Sequence, residues 1–148
     1  MQDKLKNRAF ALVAPILQPG ETPVVAARAL VGSFSSGRFG AVATQAVLQE
    51  GVGSVTAHKL AQSKKQFLVV TSHRLIFLPQ TLLGGPGKTV LGAISRDMVA
   101  LAEVKMGFVS LVRIAFGTEG AGVALTFPRS EKKDAEALAQ ALQQAPVA

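Results

Sequence analysis

The sequence predicts a mainly β fold with flanking helices: an antiparallel sandwich or partly open barrel of about seven strands, capped by a C-terminal helix. Three observations carry this. Residues 64–79 write two β-branched and aromatic runs on either side of the polar Thr71-Ser72-His73-Arg74, the pattern of a hairpin with Lys64 and Lys65 at its open end. Short apolar runs then follow closely over 88–95, 99–106, 109–117 and 121–127, separated by turns rich in glycine and polar residues. Apolar residues at helical spacing mark the two ends of the chain. At 148 residues the chain suits one core better than two, so 1–148 reads as a single domain.

The N-terminal helix covers 1–18. Leu5, Ala9, Leu12, Val13, Ile16 and Leu17 fall on one helical face, and Lys4, Lys6 and Arg8 lie nearer the start. Pro15 bends or ends its last turn, and Pro19-Gly20 stop it. Such a helix packs on its own sheet or lies on an anionic membrane with Phe10 inward; its small, Ala-rich face favours the sheet. Val24 to Val31 is the first strand, with Arg28 its only charge, placed on the exposed face or paired at a rim.

Residues 32–63 form an insert. Gly32 to Gly37 has loop composition, and Phe39, Val42, Ala43, Ala46 and Val47 recur at helical spacing until Gly51 and Gly53. Residues 56–62 are a second short helix or the lead into the hairpin. An insert of this length serves an oligomer contact or a ligand, or simply covers an open end of the sheet. The terminal helix spans 130–145, with Ser130 as N-cap, Glu131 in the first turn and Ala135, Leu138, Ala139, Leu142 and Ala145 as its apolar stripe.

Composition narrows the function. Cysteine is absent, which removes disulfides, Cys-ligated metals and thiol catalysis and fits a reducing compartment. No apolar signal-peptide core follows Met1, and the most apolar window, 39–57, carries Gln45, Gln49, Glu50 and glycines, too broken for a membrane span. The expected setting is cytoplasmic, with a peripheral seat on the inner membrane face as the variant. A net charge of +7 favours anionic partners. Nucleic acid is disfavoured, because Trp and Tyr are absent and most of the eight Phe sit in strand patterns that core packing explains.

Catalytic signatures are thin. Gly84-Gly85-Pro86-Gly87-Lys88-Thr89 resembles the end of a phosphate-cradling loop, but Leu82 stands where a glycine is needed and Val90 to Ile94 reads as a strand instead of a helix. His58 and His73 lack metal-ligand spacing with carboxylates, and no Gly-x-Ser-x-Gly elbow occurs. An enzymatic reading needs a basic pocket between the hairpin tip and the Gly84 to Lys88 loop, with His73 moving protons and Arg74 and Lys88 stabilising charge. No catalytic residue, cofactor or metal is expected.

The basic pair, apolar strand, Thr-x-x-Arg and second apolar strand of residues 64–79 resemble the second and third strands of pleckstrin-homology-like (PH-like) domains, particularly the small bacterial families. Leu17-Gln18-Pro19-Gly20-Glu21 is similar to the lead-in before their first strand. Residues 94–107 are similar to their middle segment, and 111–127 to the hairpin before their terminal helix. The resemblance spans residues 17–145 except for 32–63. It implies a binding or assembly module; members share the fold without sharing a ligand, and some form ring-like oligomers. The phosphoinositide signature of eukaryotic members, a lysine ending the first strand and Lys/Arg-x-Arg opening the second, is met here by Arg28 and Lys64-Lys65, with Gln66 in place of a basic residue.

The expected function is therefore non-catalytic protein interaction or self-assembly, through Phe34, Phe39, Val42 and Val47. The alternative is peripheral binding to anionic lipid headgroups through Arg28, Lys59, Lys64, Lys65 and Arg74.

Overall fold

The computed structural model describes residues 3–34, 60, 64–82, 84–116 and 121–143. Helix α1 (Asp3–Val13) runs into a 3₁₀ turn, Ala14–Ile16, at Pro15, whose missing N–H cannot continue the α-helical ladder. The strands are β1 (Pro23–Phe34), β2 (Lys65–Thr71), β3 (Arg74–Pro79), β4 (Gly92–Ser95), β5 (Val99–Lys105), β6 (Ser110–Phe116) and β7 (Gly122–Phe127). Helix α2 (Lys132–Gln143) follows a 3₁₀ turn at Arg129–Glu131.

All seven strands form one antiparallel sheet in the order β4-β3-β2-β1-β7-β6-β5. The 12-residue β1 joins its wings. Its first half pairs with β2, from Val25 opposite Val70 to Leu30 opposite Lys65; its second half pairs with β7, from Leu30 opposite Thr126 to Phe34 opposite Gly122. Leu30 is thus the handover residue, in register with both.

Alternation along β1 builds two cores. Ala27, Ala29 and Val31 face the main core with Leu68, Val70, Leu75, Phe77, Ile114, Leu125 and Phe127, closed by Ala135, Leu138 and Ala141 of α2. Phe77 and Phe116 meet there edge to face, centroids 6.4 Å apart. Ala26 faces the other way and joins Phe67, Val69, Ile76 and Leu78 beneath Ala9 and Val13 of α1. The helix therefore packs on its own sheet, and complete burial of Val13 is worth about 1.5–3 kcal/mol. Covered on both faces, β2 and β3 read as continuous apolar runs, whereas β6, covered on one, alternates.

Three sequence expectations are corrected. The first strand does not end at Val31 but continues through Gly32, Ser33 and Phe34, held by the ladder to β7. The strand expected from residue 88 begins only at Gly92; before it, the Gly87 N–H donates to the Pro79 carbonyl at 2.7 Å and Gln80 bridges to Pro86, forming a loop. Ser130 is not an N-cap: the 3₁₀ turn starts after Pro128 without a side-chain cap, and the α-helix proper begins at Lys132.

Candidate functional site

Where β1 changes partner, the Lys65 end of the first wing meets the Thr126 end of the second. On the α1 side of this junction lies a cleft of about 400 Å³, whose lining includes Arg28, Leu30, Lys65, Gln80, Val109 and Thr126. Pro128, Ser130 and Glu131, from the connection into α2, close its other wall.

Arg28 is tied into that wall. Its Nη2 donates to Glu131 Oε1 at 2.7 Å, and its Nη1 donates to the Gly84 carbonyl at 3.2 Å. Gly84 suits this approach, since its φ is +84° and a Cβ there would lie 3.2 Å from the guanidinium. The Glu131 side chain is 3% exposed, against 31% for Arg28, so the pair is a neutral, half-buried strut. Lys65 is exposed and makes no ion pair among the described residues; Lys64, beside it, is also exposed.

Exposed apolar side chains occur in the lining and on neighbouring loops. Leu30 and Val109 line the cleft and are half exposed, and Phe108, next to Val109 in the β5–β6 turn, is 74% exposed. Leu82, fully exposed, stands two residues beyond Gln80 on the β3–β4 loop. The Arg129 guanidinium lies 5.4 Å from the Phe108 ring centroid, a cation–π contact. Lys132 and Lys133 follow at the start of α2.

The candidate anion ligands divide. Arg28 and Lys65 share the cleft and Lys64 adjoins it. Arg74 sits at the far end of the β2–β3 hairpin, about 20 Å from Lys65 by strand rise. There it is committed to Glu21, through Nε at 3.0 Å and Nη2 at 2.9 Å, and to the Ile16 carbonyl at 2.8 Å. Gln66, the departure from the basic signature, is fully buried in the opposite face and donates from Nε2 to the Leu60 carbonyl. Lys59, Phe39, Val42 and Val47 lie outside the described residues, and Phe34 ends β1.

The catalytic pocket does not assemble. His73 borders Arg74 at one end of β3, its Nδ1 2.6 Å from Ser72 Oγ, while Lys88 follows Gly87, which hydrogen-bonds to Pro79 at the other. That separates them by about 17 Å of strand. Among the described residues no group of His, Asp and Glu is placed to hold a metal, and no helix is long and apolar enough to cross a membrane.

Sequence reasoning missed Glu131 as the partner of Arg28, because the pairing joins residues far apart in the chain. It placed Val109 in a strand, weighed Leu82 only as a departure from a phosphate loop, and gave Phe108 no role. For Leu82 and Phe108 the signal was an apolar residue in a turn, where polar ones are the rule.

No family model matches the chain, and no curated protein matches it. Among solved structures it is similar to the Vps36 N-terminal PH domain, at 17% identity and a TM-score of 0.49, over 86% of this chain and 83% of that one.

Proposed function

We propose that the protein is a non-catalytic docking module that binds an anionic membrane surface reversibly through its cleft-bearing end. One observation carries this: Val109 on the cleft wall, Phe108 next to it and Leu82 on the loop beyond Gln80 all expose apolar side chains, with Lys65 in the same lining, Lys64 next to it in the chain and Arg129 over the Phe108 ring. Each cation near an anionic leaflet contributes about 1 kcal/mol. Partial burial of Phe108 and Val109 in the headgroup region adds to this, up to about 1.5–3 kcal/mol per side chain when complete. Three cations and two or three apolar tips give weak, reversible attachment. The cytoplasmic setting read from composition belongs to this proposal. The self-assembly reading rests on Phe34, Phe39, Val42 and Val47, and three of these lie outside the described residues.

Co-sedimentation with vesicles of phosphatidylcholine alone and of phosphatidylcholine with phosphatidylserine tests the reading. Pelleting is expected only with the anionic vesicles, weaker at physiological than at low salt. Phe108→Ser with Val109→Ser, and separately Lys64→Glu with Lys65→Glu, abolish it. Equal pelleting with both vesicles, or with neither, overturns it; a concentration-dependent oligomer in the second case transfers support to self-assembly.

A further inference from the structure

We infer that the cleft between the two wings binds one single-chain anionic amphiphile, with its apolar body against Leu30, Val109 and Pro128 and its head at Lys65. The inference rests on the docking reading, since it names what the docking end takes from an anionic bilayer.

Size and lining come first. A cleft of about 400 Å³ is at the small end of the range for ligand sites, too small for a folded partner and suited to one chain. Its apolar walls are joined by a few polar groups, Thr126, Ser130 and Gln80 among them, which is the usual make-up of a site that orients an amphiphile.

Charge then selects the head. The one acid in the lining, Glu131, is buried and committed to Arg28, so that pair is neutral as a unit. What remains is the exposed ammonium of Lys65, with Lys64 beside it. An anionic head finds a counter-charge; a cationic head meets only repulsion. The strut also fixes the wall, because Arg28 is held at once to Glu131 and to the Gly84 carbonyl, and a wall already in place costs little to order on binding.

The chain contains no Trp and no Tyr, so Val109→Trp creates a lone emitter on the cleft wall, at a half-exposed position. Decanoate, decyl maltoside and decyltrimethylammonium are titrated separately, each below its micelle-forming concentration. Decanoate is expected to give a saturable blue shift, with the neutral and cationic probes at least about tenfold weaker and with Lys65→Glu weakening decanoate by about five- to tenfold. Phe108→Trp repeats the titration from the neighbouring position, so a reporter that disturbs the wall is recognised. Equal responses to the three probes, or none from either reporter, overturn the inference. Vesicle pelleting without a decanoate response leaves docking standing and removes the cleft ligand. A decanoate response without pelleting removes docking and assigns the cleft to an amphiphile taken from solution.

Discussion

Glu21 and Arg74 grip each other side-on across the tip of the β2–β3 hairpin. Arg74 Nε donates to Oε2 at 3.0 Å and Nη2 to Oε1 at 2.9 Å. The same carboxylate accepts the Thr71 hydroxyl at 2.5 Å and the Gln18 N–H at 2.9 Å. The glutamate of the Leu-x-Pro-Gly-Glu lead-in thus fastens the segment after α1 to the tip of the β2–β3 hairpin. Such two-point pairs surpass single contacts because both hydrogen bonds are charge-assisted.

Acid should release this clasp. Burial alone would raise the Glu21 pKa, but the Arg74, Gln18 and Thr71 hydrogen bonds and the Arg74 charge outweigh it and bring the value from 4.5 to about 2. A depressed carboxylate contributes its stability fully above its unfolded pKa and loses it as pH falls through the folded one. The window is therefore about pH 5 down to 2, and the contribution at neutral pH is roughly 3 kcal/mol. Urea unfolding at pH 7 and at pH 3 should show Glu21→Gln much less stable than wild type at pH 7, with the gap narrowed by roughly half at pH 3. A gap that stays constant would contradict the linkage.

The Arg28–Glu131 strut should be asymmetric to truncation. Glu131→Ala leaves a guanidinium that reaches water and keeps the Gly84 carbonyl, costing about 1 kcal/mol. Arg28→Ala takes the guanidinium away from a buried carboxylate, which keeps its contact with Asp134, and costs about 2 kcal/mol. Denaturant midpoints of the two variants decide this; equal losses would mean that Glu131 is less dependent on Arg28 than the geometry implies.

Two glycines of the β1–β7 ladder should differ sharply. A Cβ on Gly122 would collide with the Ile114 carbonyl oxygen and come within 2.8 Å of Ala115 Cα, both backbone atoms that cannot step aside. Gly32 has nothing within 4 Å of its would-be Cβ. Gly122→Ala is expected to lose about 3 kcal/mol or fail to fold, and Gly32→Ala to stay within about 1 kcal/mol of wild type by thermal unfolding.

Phe108 and Phe77 form a second contrast. Phe108→Ser should move stability by no more than about 0.5 kcal/mol, since the ring is already in water, while removing vesicle binding. Phe77→Ala, in the centre of the main core, should cost about 3–5 kcal/mol. If Phe108→Ser also destabilises strongly, its ring is a packing element and not a docking tip.

The strands were legible where local pattern and burial agree. β2 and β3 read clearly because they are covered on both faces, and β6 and β7 because alternation and a glycine-bounded turn coincide. The ends of β1 and β4 were not, since a strand stops where its ladder stops: Gly32 and Ser33 look like loop until β7 lies beside them, while Val90 looks like strand without a partner. Of the site, the basic pair at 64–65 and Arg28 could be singled out as charges in apolar surroundings. Their separation from Arg74 could not, because like charges in a sequence carry no sign of which end of a hairpin they occupy. Glu131 was hidden for a related reason; its first-turn position suits the helix dipole and gave no cause to look for a cation a hundred residues upstream.

The handover at Leu30 also governs when the molecule can become whole. One half of β1 waits for β2, which arrives roughly 35 residues later, and the other half for β7, roughly a hundred residues later. Ladders that join such distant stretches are slow to close, because the chain loses loop entropy before any contact repays it. During synthesis at about 5–20 residues per second, the second half of β1 stays an open edge for roughly 5–20 seconds, a template for any other nascent strand. Gly32 and Ser33 occupy that waiting edge, where small side chains specify register only weakly, so the register of this half is set when β7 lies beside it.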